Sequence, residues 1–440
     1  MRRSIISSLF TAFAGQALWA RLTAAKSVYA HYMVGTVTEG SGHAELDIDQ
    51  ALAMGIDAFA LNVGNPTADW TLSTISQLFN HASTNGFKLF FSLDLLQEPD
   101  ITAFNSLLSN YLGHRSYLRY GAANYPLVST YSVGPNGPDY FSNWKANDFA
   151  NEIYFVPNAD QSQGYNDPDS WFSAWDQAVQ GVLGWETAWP TPGSTPTNVS
   201  SSQDSSVLNA AHAWAKTYMA PLSSLQFKDS CGGNYYRVGE SNLPQRMTQL
   251  LDLAPDFVEI LTWNDAGESH YIGNIWPEGV GSDALAYSNN QDWPHSAWRP
   301  IIQSFIAAYK GGQDASAMAP TSGAQAIGAM WYRDIPKGAA CGGNQKPDNW
   351  PSAVDAVNYA VVVAPGNTGI TIRVTSGGTV IRTITGNYGL NYGSATGLNT
   401  GAQKLEVLSG STVILTANSA RDVNSDDPAC IFNYQVAGLK

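Results

Sequence analysis

The stretch Phe257-Val258-Glu259-Ile260-Leu261-Thr262-Trp263-Asn264-Asp265-Ala266-Gly267-Glu268-Ser269-His270-Tyr271 runs from a short apolar segment directly into a polar, glycine-containing loop. An apolar run of this length bounded by turn residues reads as a strand that opens into a rim loop. Working outward, the same transition recurs from residue 28 to about 310, at candidate strands 28–34, 58–63, 88–93, 127–131, 153–156, 182–185, 225–228 and 257–262. Between them lie apolar positions at helical spacing, such as Leu72, Ile75, Phe79 and Ala82, or Trp171, Trp175, Ala178 and Val179.

Eight strand-helix units in this length predict a (β/α)8 TIM barrel. An open doubly wound sheet would ordinarily carry a GxGxxG phosphate turn after its first strand, and the 35–42 loop lacks that order. After Tyr309 the composition turns to Gly, Ser, Ala and Pro, as suits a linker over 312–323. Short β-rich runs then recur at 360–363, 370–374, 379–385, 404–408, 412–415 and 431–436, separated by Gly-Asn and Gly-Ser turns. The expected fold class is therefore α/β, a barrel over residues 26–311 followed by a C-terminal antiparallel β-sandwich domain over 324–440.

Arg2 and Arg3 precede a broken apolar stretch at 5–20, with small residues at Ala20, Ala24 and Ala25. This predicts a signal peptide over 1–25 and a secreted protein; the apolar run is shorter than the roughly 20 residues that a membrane span requires. The net charge is -14 with only 22 basic residues, which argues against nucleic acid or an anionic membrane as partner. Fourteen Trp and 12% aromatic residues suit a neutral polysaccharide, although core packing accounts for many of them. A monomer is expected. Of three cysteines, Cys341 and Cys430 both lie in the C-terminal part and are expected to pair, with three free buried thiols as the alternative. No cofactor is expected. No CxxC, HExxH, Walker loop or GxSxG is present, and the seven histidines show no metal-ligand spacing.

In a barrel the reactive groups stand on the loops after the strands. The polar residues there are His31 and Tyr32, Asn62, Asp94, Tyr131, Asn158 and Asp160, Glu186, Asp229, and Asp265 with Glu268. Two carboxyl groups at one strand mouth suit glycosidic cleavage, which needs one acid to protonate the leaving oxygen and one carboxylate to manage water or the sugar cation. Trp185, Trp263, Tyr271 and Trp276 offer flat walls for a sugar ring, Trp189 a further platform, and His31 and His270 polar partners. Each has a plainer reading: Asp265 as a turn residue bonding nearby N–H groups, Asp94 as a helix cap, Glu186 in an ion pair, each Trp as a plug over the core. Asn198-Val199-Ser200 is an N-glycosylation site that would decorate the surface.

The 28–35 segment, the 55–62 segment, Phe91-Ser92-Leu93-Asp94 and the 263–271 loop resemble the fungal α-1,3-glucanases (mutanases), glycoside hydrolase family 71, and the resemblance extends to the last residues. It implies a secreted, inverting glycosidase of fungal cell-wall α-1,3-glucan, with a barrel and a β-rich domain; endo attack is expected, though the sequence leaves endo and exo open. Its acidic pair maps onto Asp265 and Glu268, with Asp265 as base and Glu268 as acid or the reverse. The expected substrate contacts are His31, Tyr32, Asn62, Asp94, Trp185, Glu186, Asp229, Trp263, His270, Tyr271 and Trp276. The alternatives are a non-catalytic carbohydrate-binding wall protein on the same fold and an endo-glycosidase of α-mannan.

Overall fold

The computed structural model describes residues 26–38, 40–230, 233–426 and 428–440, so the predicted leader and Cys231 lie outside the described residues. Eight parallel strands carry the first part of the chain: β1 (Ser27–Met33), β2 (Ala58–Val63), β3 (Lys88–Asp94), β4 (Tyr125–Tyr131), β5 (Tyr154–Pro157), β6 (Gly181–Leu183), β7 (Thr217–Ser223) and β8 (Phe257–Leu261). Their spatial order is β5-β4-β3-β2-β1-β8-β7-β6. The sheet curls so that its two end strands approach, and a parallel bridge between Asn158 and Leu183 links them. Every residue of β2 and of β8 is buried, because one face meets the interior and the other meets helices.

The helices follow their strands: α1 (His43–Ala53), α2 (Asp69–Asn85), α3 (Asn105–Tyr111), α4 (Pro138–Phe149), α5 (Pro168–Trp175), α6 (Ser202–Ala213), α7 (Asn242–Leu253) and α8 (Arg299–Lys310). In α2 the buried positions are 71, 74, 75, 78, 79 and 82, and Gly86 ends the helix at φ 81°, a conformation that favours glycine. Leu72, expected in the apolar stripe, stands outside it at 38% exposure. The predicted strand 225–228 is a second correction. The seventh parallel strand is 217–223, and Gln226–Ser230 instead pairs antiparallel with Gly233–Arg237 as a hairpin over the rim.

Beyond α8 come β9 (Ala326–Tyr332), β10 (Ala356–Val363), β11 (Ile370–Ser376), β12 (Thr379–Gly386), β13 (Gly389–Thr396), β14 (Gln403–Ser409), β15 (Thr412–Asn418) and β16 (Gln435–Gly438). They form two antiparallel sheets, β13-β10-β9-β16 and β12-β11-β14-β15. Met330, Tyr332, Val357, Tyr359 and Val361 of the first sheet pack with Ile372, Val374, Leu405 and Val407 of the second. The alternate residues Ala329, Trp331, Ala360 and Val362 belong to the core of the curled sheet and its helices, where Trp331 meets Trp298 edge-on. The middle sheet is thus apolar on both faces. The 312–323 segment is packed against the body: Met318 is buried and Ser304 donates to the Ala319 carbonyl at 2.7 Å. A disulfide joins Cys341 to Cys430, the pairing expected from the sequence.

Candidate active site

Strand β8 delivers its carboxyl-terminal loop to the rim where the other parallel strands also end. Asn264 fixes this loop by accepting from Met33 N at 2.8 Å and donating to Thr36 Oγ1 at 2.8 Å. Asp265 N donates to Thr262 Oγ1 at 3.0 Å, and Glu268 N donates back to Asp265 Oδ1 at 3.2 Å. One oxygen of Asp265 therefore does serve the turn. The other lies 3.7 Å from His270 Nε2, which is 3.0 Å from Glu268 Oε2. Ligand-type atoms of Asp265, Glu268 and His270 all fall within 4.8 Å of one another, so the same three groups offer a cation site that would occupy both carboxylates.

Both acids reach solvent, with side-chain exposures of 17% for Asp265 and 24% for Glu268, over a fully buried His270. Glu268 accepts from Gln226 Nε2 at 2.6 Å and from Tyr235 OH at 2.8 Å, both on the rim hairpin. Burial alone would raise the Glu268 pKa, but the hydrogen bond and charge of His270, with Gln226 and Tyr235, outweigh it and hold the group down to about 2. Asp265 moves the opposite way: burial raises its pKa, partly offset by the charge of His270. For His270, burial favours the neutral ring, yet the Glu268 hydrogen bond and the two carboxylate charges prevail and raise its pKa. The pair is polarised, with Glu268 held ionised and Asp265 the more easily protonated.

Several expected residues converge here. His31 bonds the buried Glu259 through Nδ1 at 2.8 Å and meets Trp185 edge-on at 4.9 Å. Asp94 accepts from Leu96 N and Gln97 N at 3.1 and 3.2 Å, so it caps the turn after β3. Burial raises its pKa, while those N–H groups and, after them, the His31 charge and the Asn62 side chain lower it. Glu186 makes the ion pair that its plainer reading foresaw, with Arg237 Nη1 at 2.8 Å. Asp160 accepts from the backbone N–H groups of Trp185 and Glu186 at 2.6 and 2.7 Å and so orders that loop.

Five expected contacts do not converge. Tyr32 is fully buried, stacks on Phe59 and donates to Asp47, because side chains alternate along β1 and His31 takes the inner side. Trp263 is buried against Phe59 and Gly273 with Arg299 over its ring, as a plug. Tyr271 is buried, stacked on His295 and bonded to the Trp293 carbonyl. Trp276 stacks on His43 and donates to Asp47, beside α1. Asp229 pairs across the hairpin with Asn234 on the face of Phe227 and Tyr236, opposite the face of Gln226, Tyr235 and Arg237.

The sequence reading missed Gln226, Tyr235 and Arg237, and it named Tyr131 at the rim without giving it a role. Tyr131 contacts Trp185 edge-on, and its pKa is raised by burial and then by the charges of Glu268, Asp94, Glu186 and Asp265. The available signal was the Gly-Gly pair at 232–233 in the sequence, a composition that suits a hairpin; in the structure Gln226 stands opposite Arg237.

A family model described as glycosyl hydrolase family 71 matches residues 24–439. A mutanase of Penicillium rubens is 31% identical over 455 residues, spanning 99% of this chain and 95% of that protein. A glucan endo-1,3-alpha-glucosidase of Schizosaccharomyces pombe is 30% identical over 373 residues, 81% of each chain. Among solved structures, a family 99 endo-alpha-mannosidase from Bacteroides thetaiotaomicron aligns with a TM-score of 0.50 at 10% identity, covering 65% of this chain and 98% of that chain, a likeness of fold.

Proposed function

The chain belongs to glycosyl hydrolase family 71 and is a glycoside hydrolase, and from that premise we propose that it is a secreted endo-acting enzyme cleaving α-1,3-glucosidic bonds in fungal cell-wall α-1,3-glucan. The names of its mutanase and endo-1,3-alpha-glucosidase relatives support the substrate, and the leader read in residues 1–25 supports secretion. We read β1 to β8 as a (β/α)8 barrel closed at the Asn158–Leu183 bridge, and the two later sheets as the β-sandwich. The catalytic groups are Asp265 and Glu268, with His31, Asn62, Asp94, Tyr131, Trp185 and Glu186 lining the sugar site.

The observation that carries this reading is the polarised acid pair around His270 at a solvent-reaching rim. Glu268, held ionised by its three donors, acts as the base that holds water; Asp265, whose partly buried carboxyl takes a proton more readily, acts as the acid toward the leaving oxygen. This reverses the assignment preferred from sequence and takes up the alternative left open there. Inversion is the outcome implied by the family resemblance. It calls for carboxyl groups about 6.5–9.5 Å apart, against about 5–5.5 Å for retention. The nearest ligand-type oxygens of the two groups lie within 4.8 Å of each other, and the product anomer decides between the two outcomes.

The test is hydrolysis of insoluble α-1,3-glucan, with α-mannan and a β-linked glucan as controls, followed by reducing ends and by NMR of the product anomer. Asp265→Asn and Glu268→Gln should each lower kcat by about 10² to 10⁴ in folded protein, the usual worth of acid-base assistance. Activity confined to the controls would overturn the substrate, a retained anomer the inverting step, and full turnover in either variant that residue's role.

A further inference from the structure

The rim carries an exposed aromatic that the acid site does not use. Trp70, in the first turn of α2, is 51% exposed, and every other Trp among the described residues is more enclosed. A single exposed apolar side chain is ordinary on a protein surface; what sets this indole apart is the cavity beside it. The ring lies over Gly35, where an added Cβ would stand 3.3 Å from Trp70 Cζ3. Beside it is a cavity of about 560 Å³ lined by Gly35, Thr38, Asp69, Trp70, Ser73 and Glu278, within the roughly 300–1,000 Å³ of small-ligand sites. Hydroxyls and carboxylates border an indole face, and among the described residues that line the cavity none is basic; His43 pairs with Glu278 from behind. That chemistry suits a neutral polyhydroxylated ring and repels an anion.

The cavity is tied to the catalytic loop. Asn264, next to Asp265, clamps Met33 and Thr36, and Gly279, a cavity neighbour of Glu278, is packed against the Thr36 carbonyl. His43 pairs with Glu278 and stacks on Trp276 with ring centroids 3.7 Å apart and planes at 6°, which fixes the outer wall. The acid loop and the Trp70 cavity are therefore joined through the segment at 33–38, which Asn264 holds on one side and which lines the cavity on the other.

We propose that this cavity is a distal glucosyl-binding subsite, with the Trp70 indole as platform and Thr38, Asp69, Ser73 and Glu278 as hydroxyl partners. The inference rests on the reading of the protein as a neutral-glucan hydrolase. A long chain that runs from the acids across the 34–38 loop gains the indole contact; a short oligosaccharide ends before reaching it.

The experiment compares wild type, Trp70→Ala and Trp70→Phe on α-1,3-linked gluco-oligosaccharides of increasing length and on the polymer, with kcat and KM separated. Binding of the longest oligosaccharide to Glu268→Gln with and without Trp70→Ala is measured by calorimetry. An aromatic contact of this kind corresponds to about three- to tenfold in affinity. Trp70→Ala should raise KM by that factor for long chains, leave kcat and the shortest cleaved substrate unchanged, and be partly rescued by Trp70→Phe. Equal loss at every length, no loss at any length, or loss of self-association with unchanged kinetics overturns the proposal. If wild type cleaves no α-1,3-linked substrate, the functional reading fails and the subsite falls with it; if wild type cleaves and Trp70→Ala matches it, the subsite alone fails.

Discussion

At the scale of single residues the site is governed by one buried imidazole. His270 lies 3.0 Å from Glu268 and 3.7 Å from Asp265, and the Glu268 hydrogen bond with the carboxylate charges raises its pKa despite full burial. The folded Glu268 pKa, about 2, lies below its ordinary 4.5, so the stability it contributes is present above about 4.5 and lost as pH falls through about 2. His270→Gln removes the charge that opposes burial. The acid limb of the pH profile of kcat/KM should then move upward by at least about one unit, equivalent to about 1.4 kcal/mol; a limb that stays in place would detach His270 from Glu268. That Asp265 and Glu268 meet was legible in the sequence, because they stand three positions apart in a single loop. The direction of each pKa shift was not, since it depends on burial and, for Glu268, on His270 together with donors 33 and 42 residues away.

At the scale of elements, the rim hairpin departs furthest from the sequence reading. Strand 217–223 contains Pro221, a residue that demotes a run as a strand, while Leu225 to Lys228 look apolar enough to replace it. The parallel ladder nevertheless forms, with Pro221 opposite Glu259 and its carbonyl taken by Arg246 at 2.9 Å. The chain that follows is thereby released to fold over the rim and present Gln226, Tyr235 and Arg237. Tyr235→Phe deletes one donor to the Glu268 carboxylate, and a hydrogen bond to a charged group contributes about 1.5–3 kcal/mol. A loss of roughly 10- to 100-fold in kcat/KM with unchanged circular dichroism is the expected result; wild-type kinetics would show that the tyrosine does not act on the acid.

At the scale of the whole molecule, the C-terminal sheets brace that hairpin. Tyr236 and Tyr434 share a 2.7 Å hydrogen bond, Trp331 Nε1 donates to the Glu240 carbonyl at 2.7 Å, and Asp348 exchanges backbone hydrogen bonds with Asn234 and Tyr236. The composition change near residue 311 is real, yet the apolar core continues across it through Trp298 and Trp331. Strand β9 escaped the sequence reading because burial on both faces erases the polar-apolar alternation by which an antiparallel strand is recognised. A chain ending at 311 would expose that core face and free the hairpin. It should aggregate on size exclusion and show no hydrolysis; a monomeric, active 26–311 fragment would refute the bracing.

What the sequence by itself determined is the repeating strand-helix order, the later change to antiparallel strands and the presence of two carboxyl groups in one loop, all carried by local periodicity and spacing. Tertiary structure alone decided which rim residues face the acids and which are plugs, since inward and outward positions differ by a single step along a strand. It also decided that the C-terminal sheets hold the hairpin in place, because contacts between residues 100 to 200 apart leave no local pattern in the chain.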